Sequence, residues 1–153
     1  MLKSTSEAAG LRIRSHMLTY QTEQGPQFID ITDNVLQLLQ QSGVENGNVT
    51  VFSRHTTAAI TINENEPHLL ADMEEMLERI LPELHDYANN KWGHGLTDEE
   101  PNGHSHCQHL FLGASETVPV IDGRLAFGQW QRLFLVELDH ARQREVVVQI
   151  IGE

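Results

Sequence analysis

From Leu11 to Tyr20 apolar and polar positions alternate, which predicts a strand with Leu11, Ile13 and Met17 or Leu18 turned inward. Gly25-Pro26 marks a turn, and Phe28, Ile29 and Ile31 suggest a short second strand. The period then changes: Val35, Leu36, Leu38 and Leu39 share one helical face, with Thr32 or Asp33 placed to cap that helix and Gly43 to stop it. Asn46-Gly47 is a turn, followed by two β-branched runs, Asn48 to Ser53 and Ala58 to Ile62. The strongest helical pattern starts at Pro67 and carries Leu69, Leu70, Met73, Met76, Leu77 and Ile80 on one stripe, until Pro82 ends it.

Leu84 to Asn102 is polar and has no clear period, and a connection that long in so short a chain is more often functional than idle. His104 to Leu112 reads as a short helix ending at Gly113. The last third reads as sheet. Thr117 to Ile121 and Arg124 to Phe127 flank the tight Asp122-Gly123 turn. Trp130 to Leu138 and Glu145 to Ile151 are apolar enough to be central strands or buried on both faces. The order of elements favours an α+β fold with a mixed, largely antiparallel sheet over alternating βαβ units. The polar start, residues 1–10, reads as a flexible N-terminal tail, and residues 11–153 as a single domain.

Composition narrows the class. The chain has 153 residues, 10 basic against 22 acidic, for a formal charge of −12, so nucleic acid and anionic membrane are not expected partners. Between Glu64 and Glu100, 11 acids face only Arg79 and Lys91. No apolar run approaches the roughly 18 residues of a membrane span, and no secretory signal opens the chain. With a lone Cys107 that cannot close an intrachain bridge, the expected location is the cytoplasm.

Nine histidines are a surplus that composition does not explain. His55 follows Arg54 and precedes Thr56 and Thr57 at a strand end, where it could exchange protons or bind an anion; a polar strand edge is the plainer reading. Asn63, Glu64 and Glu66 gather at a helix entrance, and a capping cluster explains them equally well. His104, His106 and His109 cluster in one short segment, with His106 and His109 on one helical face. Imidazoles so placed suit a divalent transition metal or a solvated cluster. His85-Asp86 could be an oriented imidazole or a surface pair. Trp130 reads as core or as a stacking surface beside Gln131. Arg124, Arg132, Arg142 and Arg144 read mainly as the solvated face of a sheet.

Several of these residues also belong to a joint pattern. His55-Thr56-Thr57, Thr61-Ile62-Asn63-Glu64-Asn65, Asp72-Met73, His85-Asp86-Tyr87, Ser105-His106, Leu112-Gly113, Val118-Pro119-Val120, Gly123-Arg124 and Gly128-Gln129-Trp130-Gln131 stand in an order that resembles the YjbQ-like proteins. That family is also named for secondary thiamine-phosphate synthase activity. The resemblance implies a compact α+β homotrimer with sites near the His55 segment and the histidine-bearing helix. It further implies a transferase that joins an aminopyrimidine diphosphate to a thiazole phosphate with loss of pyrophosphate, an activity that can be secondary to another role. The usual enzyme for that reaction is a TIM barrel of about 250 residues, which this chain is too short and wrongly ordered to form.

The chemistry implied by the resemblance assigns roles. His55, Glu64 and Asp72 are the expected catalytic residues, the two acids as oxygen ligands for Mg²⁺. Arg54, Thr56, Thr57, Asn63, Arg124, Trp130 and Gln131 are the expected contacts to a small phosphorylated heterocyclic substrate. A second arrangement sets His55, His85 and His106 around a zinc ion with an open water position, as in a hydrolase or lyase. A third is a trimeric ligand-binding protein without turnover.

Overall fold

A computed structural model describes residues 4–8, 10–92 and 101–153. In chain order they form strands β1 (Ser4–Ala8), β2 (Leu11–Gln21) and β3 (Gln27–Asp30), helix α1 (Thr32–Ser42), and strands β4 (Gly47–Ser53) and β5 (Ala58–Glu64). Helices α2 (Pro67–Ile80), α3 (Ala88–Trp92) and α4 (Gly103–Leu112) follow. Strands β6 (Ser115–Ile121), β7 (Arg124–Leu125), β8 (Gln131–Glu137) and β9 (Gln143–Gly152) complete the fold. The large sheet has the order β1-β2-β9-β4-β6-β7, the small one β3-β8-β5, and every pairing is antiparallel.

Strand β8 explains the layering. Side chains alternate across a strand, so a run buried on both faces must be apolar throughout. Leu133 and Leu135 join Ile31, Val35 and Leu39 below the large sheet, against Val49, Val51, Val146, Val148 and Ile150. Phe134 and Val136 point the other way, into a second cluster with Ala59, Leu138 and Leu77 of α2. The small sheet is thus a middle layer. One of its faces meets the large sheet and α1, and the other meets α2, with Leu70 and Leu112 packed alongside. Strand β9 is central to the large sheet, between β2 and β4, and its buried residues alternate.

Three local details differ from the sequence-based expectation. Ser4–Ala8, placed in a flexible tail, pair with β2 in register from Ser4–Ser15 to Ala8–Leu11. Neither Thr32 nor Asp33 caps α1. Instead the Thr32 hydroxyl accepts from the Leu133 amide at 2.8 Å, tying the helix start to β8, and the Asp30 carboxylate accepts from the Thr32 amide at 3.0 Å. Within the polar stretch read as aperiodic, Ala88–Trp92 form a short helix. The Asp122-Gly123 turn is as read, with φ of 50° and 71°, the left-handed pair that a two-residue hairpin with matching twist requires. Glu66 caps α2, accepting from the amides of His68 at 3.1 Å and Leu69 at 2.8 Å.

The two-faced burial of β8 sets a stability prediction. Leu135 is fully buried, whereas Leu36 on α1 is 39% exposed. Leu135→Ala lowers the unfolding free energy by about 2–5 kcal/mol in urea titration. Leu36→Ala changes it by roughly 0.5 kcal/mol or less.

Candidate anion-binding site

The connection between β4 and β5 is Arg54-His55-Thr56-Thr57, and the local chemistry pins it at both ends. Ser53 donates its hydroxyl to the Ala58 carbonyl at 2.6 Å and accepts from the His55 amide at 3.3 Å, pinching the loop. The loop is then stitched to Leu138, just after β8, and to Glu145, near the start of β9. Leu138 donates its amide to the Thr57 carbonyl at 3.1 Å, and Arg54 donates its amide to the Glu145 carbonyl at 3.3 Å. The Glu145 amide in turn donates to His55 Nε2 at 2.8 Å.

Beneath the loop lies a buried ion pair. Glu137, fully buried, accepts from Arg144 through Nε at 2.6 Å and a terminal nitrogen at 2.5 Å; Arg144 is only 3% exposed. The same carboxylate accepts from the Leu138 and Asp139 amides at 3.0 and 2.9 Å, and Thr22 Oγ1 lies 2.7 Å from it. Arg144 also donates to Thr57 Oγ1 at 3.0 Å. This is the multiply bonded arrangement that a buried charge pair needs. A second buried acid, Asp139, pairs with Arg142 at 2.9 Å and accepts from Asn102 Nδ2 at 3.2 Å. Arg54 pairs with Glu145 at 2.6 Å.

The loop and the arginines border one cleft of about 350 Å³. Arg54, His55, Thr56 and Thr57 form one wall, Arg142 and Arg144 the floor, and Asn89, Asn102 and His106 the far side. Its chemistry is that of hydrogen-bond donors. Each guanidinium carries five N–H groups, and each carboxylate partner engages only one or two of them. The His55 pKa lies below its ordinary value, because burial and the Arg144 charge disfavour the imidazolium more than Glu145 and Glu137 favour it. A neutral ring that accepts at Nε2 carries its proton on Nδ1, so His55 offers one further donor.

The structure brings only some of the expected site residues together. Arg54, His55, Thr56, Thr57 and His106 converge on the cleft. Asn63, Glu64, Gln131 and Trp130 lie at the other end of β5, where Glu64 pairs with Gln131. Six strand steps from Ala58 to Glu64 span about 20 Å. Asn63 Nδ2 contacts Met73 Sδ at 3.2 Å, Gln131 Oε1 accepts from the Gly128 amide at 2.8 Å, and Trp130 is 62% exposed and so not core. Arg124 sits on the β6–β7 hairpin beside the Gly47 end of β4, again remote from Ser53. Asp72 is exposed on α2, and exposed His85 packs edge-on to Tyr87 with ring centroids 5.0 Å apart. Arg142 and Arg144, read as solvated sheet face, are instead the floor of the cleft. Their signal was available: Glu137 and Asp139 interrupt an apolar strand, and buried acids require cations nearby.

Among the described residues the donor set of the cleft does not fit a resident metal. The one lone pair of neutral His55 is committed to the Glu145 amide, and His85 is not among the cleft residues. Among the described residues no three His, Cys, Asp or Glu side chains stand close enough to hold an ion. Glu64 and Asp72 lie outside the cleft.

A three-layered antiparallel α+β protein with an arginine-floored cleft at the β4–β5 loop is the class that fold and site define. The chain belongs to the YjbQ/UPF0047 family, whose profile, described as UPF0047 protein YjbQ-like, matches residues 16–153. A UPF0047 protein of Methanothermobacter thermautotrophicus is 41% identical over 143 residues, 94% of this chain and 95% of that one. A UPF0047 protein of Synechocystis is 34% identical over 97% of this chain and 98% of its own. A solved YbjQ-like protein of unknown function from Sulfolobus solfataricus superposes with a TM-score of 0.79 at 35% identity, covering 92% of this chain and 99% of that one. A hypothetical protein from Aeropyrum pernix superposes with a TM-score of 0.83 at 34% identity, covering 91% and 98%. No helix among the described residues is long and apolar enough to cross a membrane.

Two outcomes follow from this geometry. Arg144→Ala strands the Glu137 carboxylate and lowers stability by about 3–5 kcal/mol in urea titration. The second concerns pH. His55, His104 and His109 are all held below the ordinary histidine pKa of 6.5, in each case chiefly by burial. With the folded value depressed, the unfolded chain binds more protons in this range. Their contribution to stability is therefore complete above pH 6.5 and is lost as pH falls through the folded values. NMR titration should place all three midpoints below 6.5, and imidazole ¹⁵N shifts above pH 7 should report the Nδ1–H tautomer for His55.

Proposed function

We propose that the cleft binds the phosphate groups of small phosphorylated heterocycles and that the protein is a transferase of the thiamine-phosphate synthase type. The observation that supports this reading is the convergence of Arg54, Arg142 and Arg144 with His55, Thr56 and Thr57 in one cleft. Arginine forks match phosphate oxygens two at a time.

In the reaction, the thiazole nitrogen lone pair forms a bond to the pyrimidine methylene carbon. The methylene–oxygen bond breaks, and its electron pair departs on pyrophosphate. Negative charge grows on the leaving group, and donors already fixed in place stabilise it without reorganising. The bonds to Glu137, Asp139 and Glu145 hold the three guanidinium planes before any anion arrives. His55 Nδ1–H and the threonine hydroxyls add neutral donors. The displacement itself moves no proton, so His55 acts here as a hydrogen-bond donor. A divalent ion enters this reading as a companion of the diphosphate, not as a resident of the protein.

The test is formation of thiamine phosphate from the two purified precursors, run with and without Mg²⁺. Arg142→Ala should lower kcat/KM about 100-fold, the scale of a lost transition-state donor. His55→Ala should also lower it, and Asp72→Asn should leave it unchanged. Tight binding of both precursors with no product would make the cleft a ligand-binding site without turnover. Loss of activity in Asp72→Asn with Arg142→Ala unaffected would move the chemistry to the other end of β5.

A further inference from the structure

Next to the arginine cleft is a second hollow of about 360 Å³, bounded by Tyr87, Ala88, Gly103 and Cys107. It shares Asn89 and His106 with the cleft, so the two are neighbouring compartments with a common polar rim. Their chemistry differs. The cleft is floored by guanidinium groups, whereas the hollow is walled by an aromatic ring, a methyl group, a glycine and a thiol.

The hollow is also built, not left over. Tyr87 donates its hydroxyl to the Pro82 carbonyl at 3.0 Å, and its ring meets the edge of His85 at an interplanar angle of 78°. Gly103 donates its amide to Asn90 Oδ1 at 2.9 Å, which ties α3 to the start of α4. A Cβ at Gly103 would lie 2.6 Å from Tyr87 Cβ, so only glycine lets the helix start approach the ring this closely. An apolar cavity of about 150 Å³ takes a benzene molecule, so this hollow has room for a substituted heterocycle.

We infer that the Tyr87–Cys107 hollow receives the ring of a phosphate ester whose phosphate lies among Arg54, Arg142 and Arg144, with Tyr87 as the stacking surface. The inference rests on the phosphate reading above and specifies the substrate: a flat ring joined to a phosphate by a short linker. It gives Tyr87 the stacking role first expected of Trp130. Asn89 and His106, on the shared rim, stand where the ring joins the phosphate. A further apolar hollow, with Phe52, His109 and Ala114, borders the cleft on the Arg54–Thr56 side and is the competing location. It lacks a ring fixed by both a hydroxyl bond and an aromatic neighbour.

Phenyl phosphate and inorganic phosphate separate the possibilities, because only the first carries a ring. Calorimetry should show phenyl phosphate binding about tenfold tighter, the scale of one aromatic stacking contact. Tyr87→Phe keeps that gain and Tyr87→Ser removes it, with inorganic phosphate binding equally to all three proteins. Cys107 is the only cysteine and needs no variant to report on the site. Saturating phenyl phosphate should slow its reaction with a thiol reagent about tenfold, the size set by nearly complete occupancy. Inorganic phosphate should leave that rate within about twofold. Equal affinity for the two anions overturns the inference while leaving the phosphate reading intact. A gain that spares Cys107 reactivity and disappears in Phe52→Ala also overturns it, by placing the ring on the other side. Failure of either anion to bind overturns the phosphate reading itself, and this inference with it.

Discussion

The bond between Glu137 and Arg144 sits where the chain leaves one sheet for the other. Glu137 ends β8 in the small sheet and Arg144 lies at the start of β9 in the large one. Neither charge could be left alone at that depth, since an unpaired buried ion costs several kcal/mol even after relaxation. Glu137 therefore collects bonds from Arg144, Thr22 and two amides, and Arg144 reaches on to Thr57. The ends of β2 and β8, the start of β9 and the loop before β5 are thereby fixed relative to one another. An apolar pair of the same volume could be as stable. It would not hold the Arg144 guanidinium and the Thr57 hydroxyl together at one opening.

The rest of the cleft inherits that geometry. With Thr57 held from below and Ser53 pinching from behind, His55 has its ring placed over the Glu145 amide. That amide decides the tautomer, and the tautomer decides the chemistry. A ring accepting at Nε2 presents N–H, not a lone pair, which suits an anion and opposes a cation. The same protein could not easily serve the zinc arrangement that three histidines suggest, because the first ligand is already engaged by backbone.

Much of the fold was legible because periodicity reports burial. The strands β2, β4 and β5 and the helix α2 appear where the pattern puts them. Leu11, expected to face inward, is however 44% exposed, and of the α2 stripe only Leu77 is buried while Met76 and Ile80 are exposed. The Arg54–Thr57 segment stood out as a candidate through its titratable and hydroxyl groups, although a polar strand edge was the plainer reading of the residues alone. What periodicity could not show was pairing between distant acids and bases. Arg142 and Arg144 alternate like a solvated sheet face, and only the acids inside the apolar run of β8 reveal that their partners are buried. Thr32 was misread for a related reason: its hydroxyl serves a strand 101 residues away in place of its own helix. Asn63, Glu64 and Trp130 share a motif with the site yet stand about 20 Å from it, because a strand carries its neighbours along a line.

An apparent conflict remains between a chain of net charge −12 and the anion site proposed for the cleft. Its resolution is distance. At physiological salt, charges more than about 8 Å apart are largely screened, so acids spread over the surface act weakly on the cleft. The carboxylates of Glu145, Asp139 and Glu137 are each spent on an arginine of the cleft, two of them with no exposed side-chain area. Local charge is then close to balanced, and what the cleft offers is oriented N–H and O–H donors, not excess positive potential. Such a site discriminates by shape. Under the phosphate reading proposed above, such a site favours a phosphate whose oxygens meet the fixed guanidinium planes over a loosely held anion. Arginine suits this role and lysine does not, because a planar fork can hold a carboxylate with one edge and keep donors for a second anion on the other.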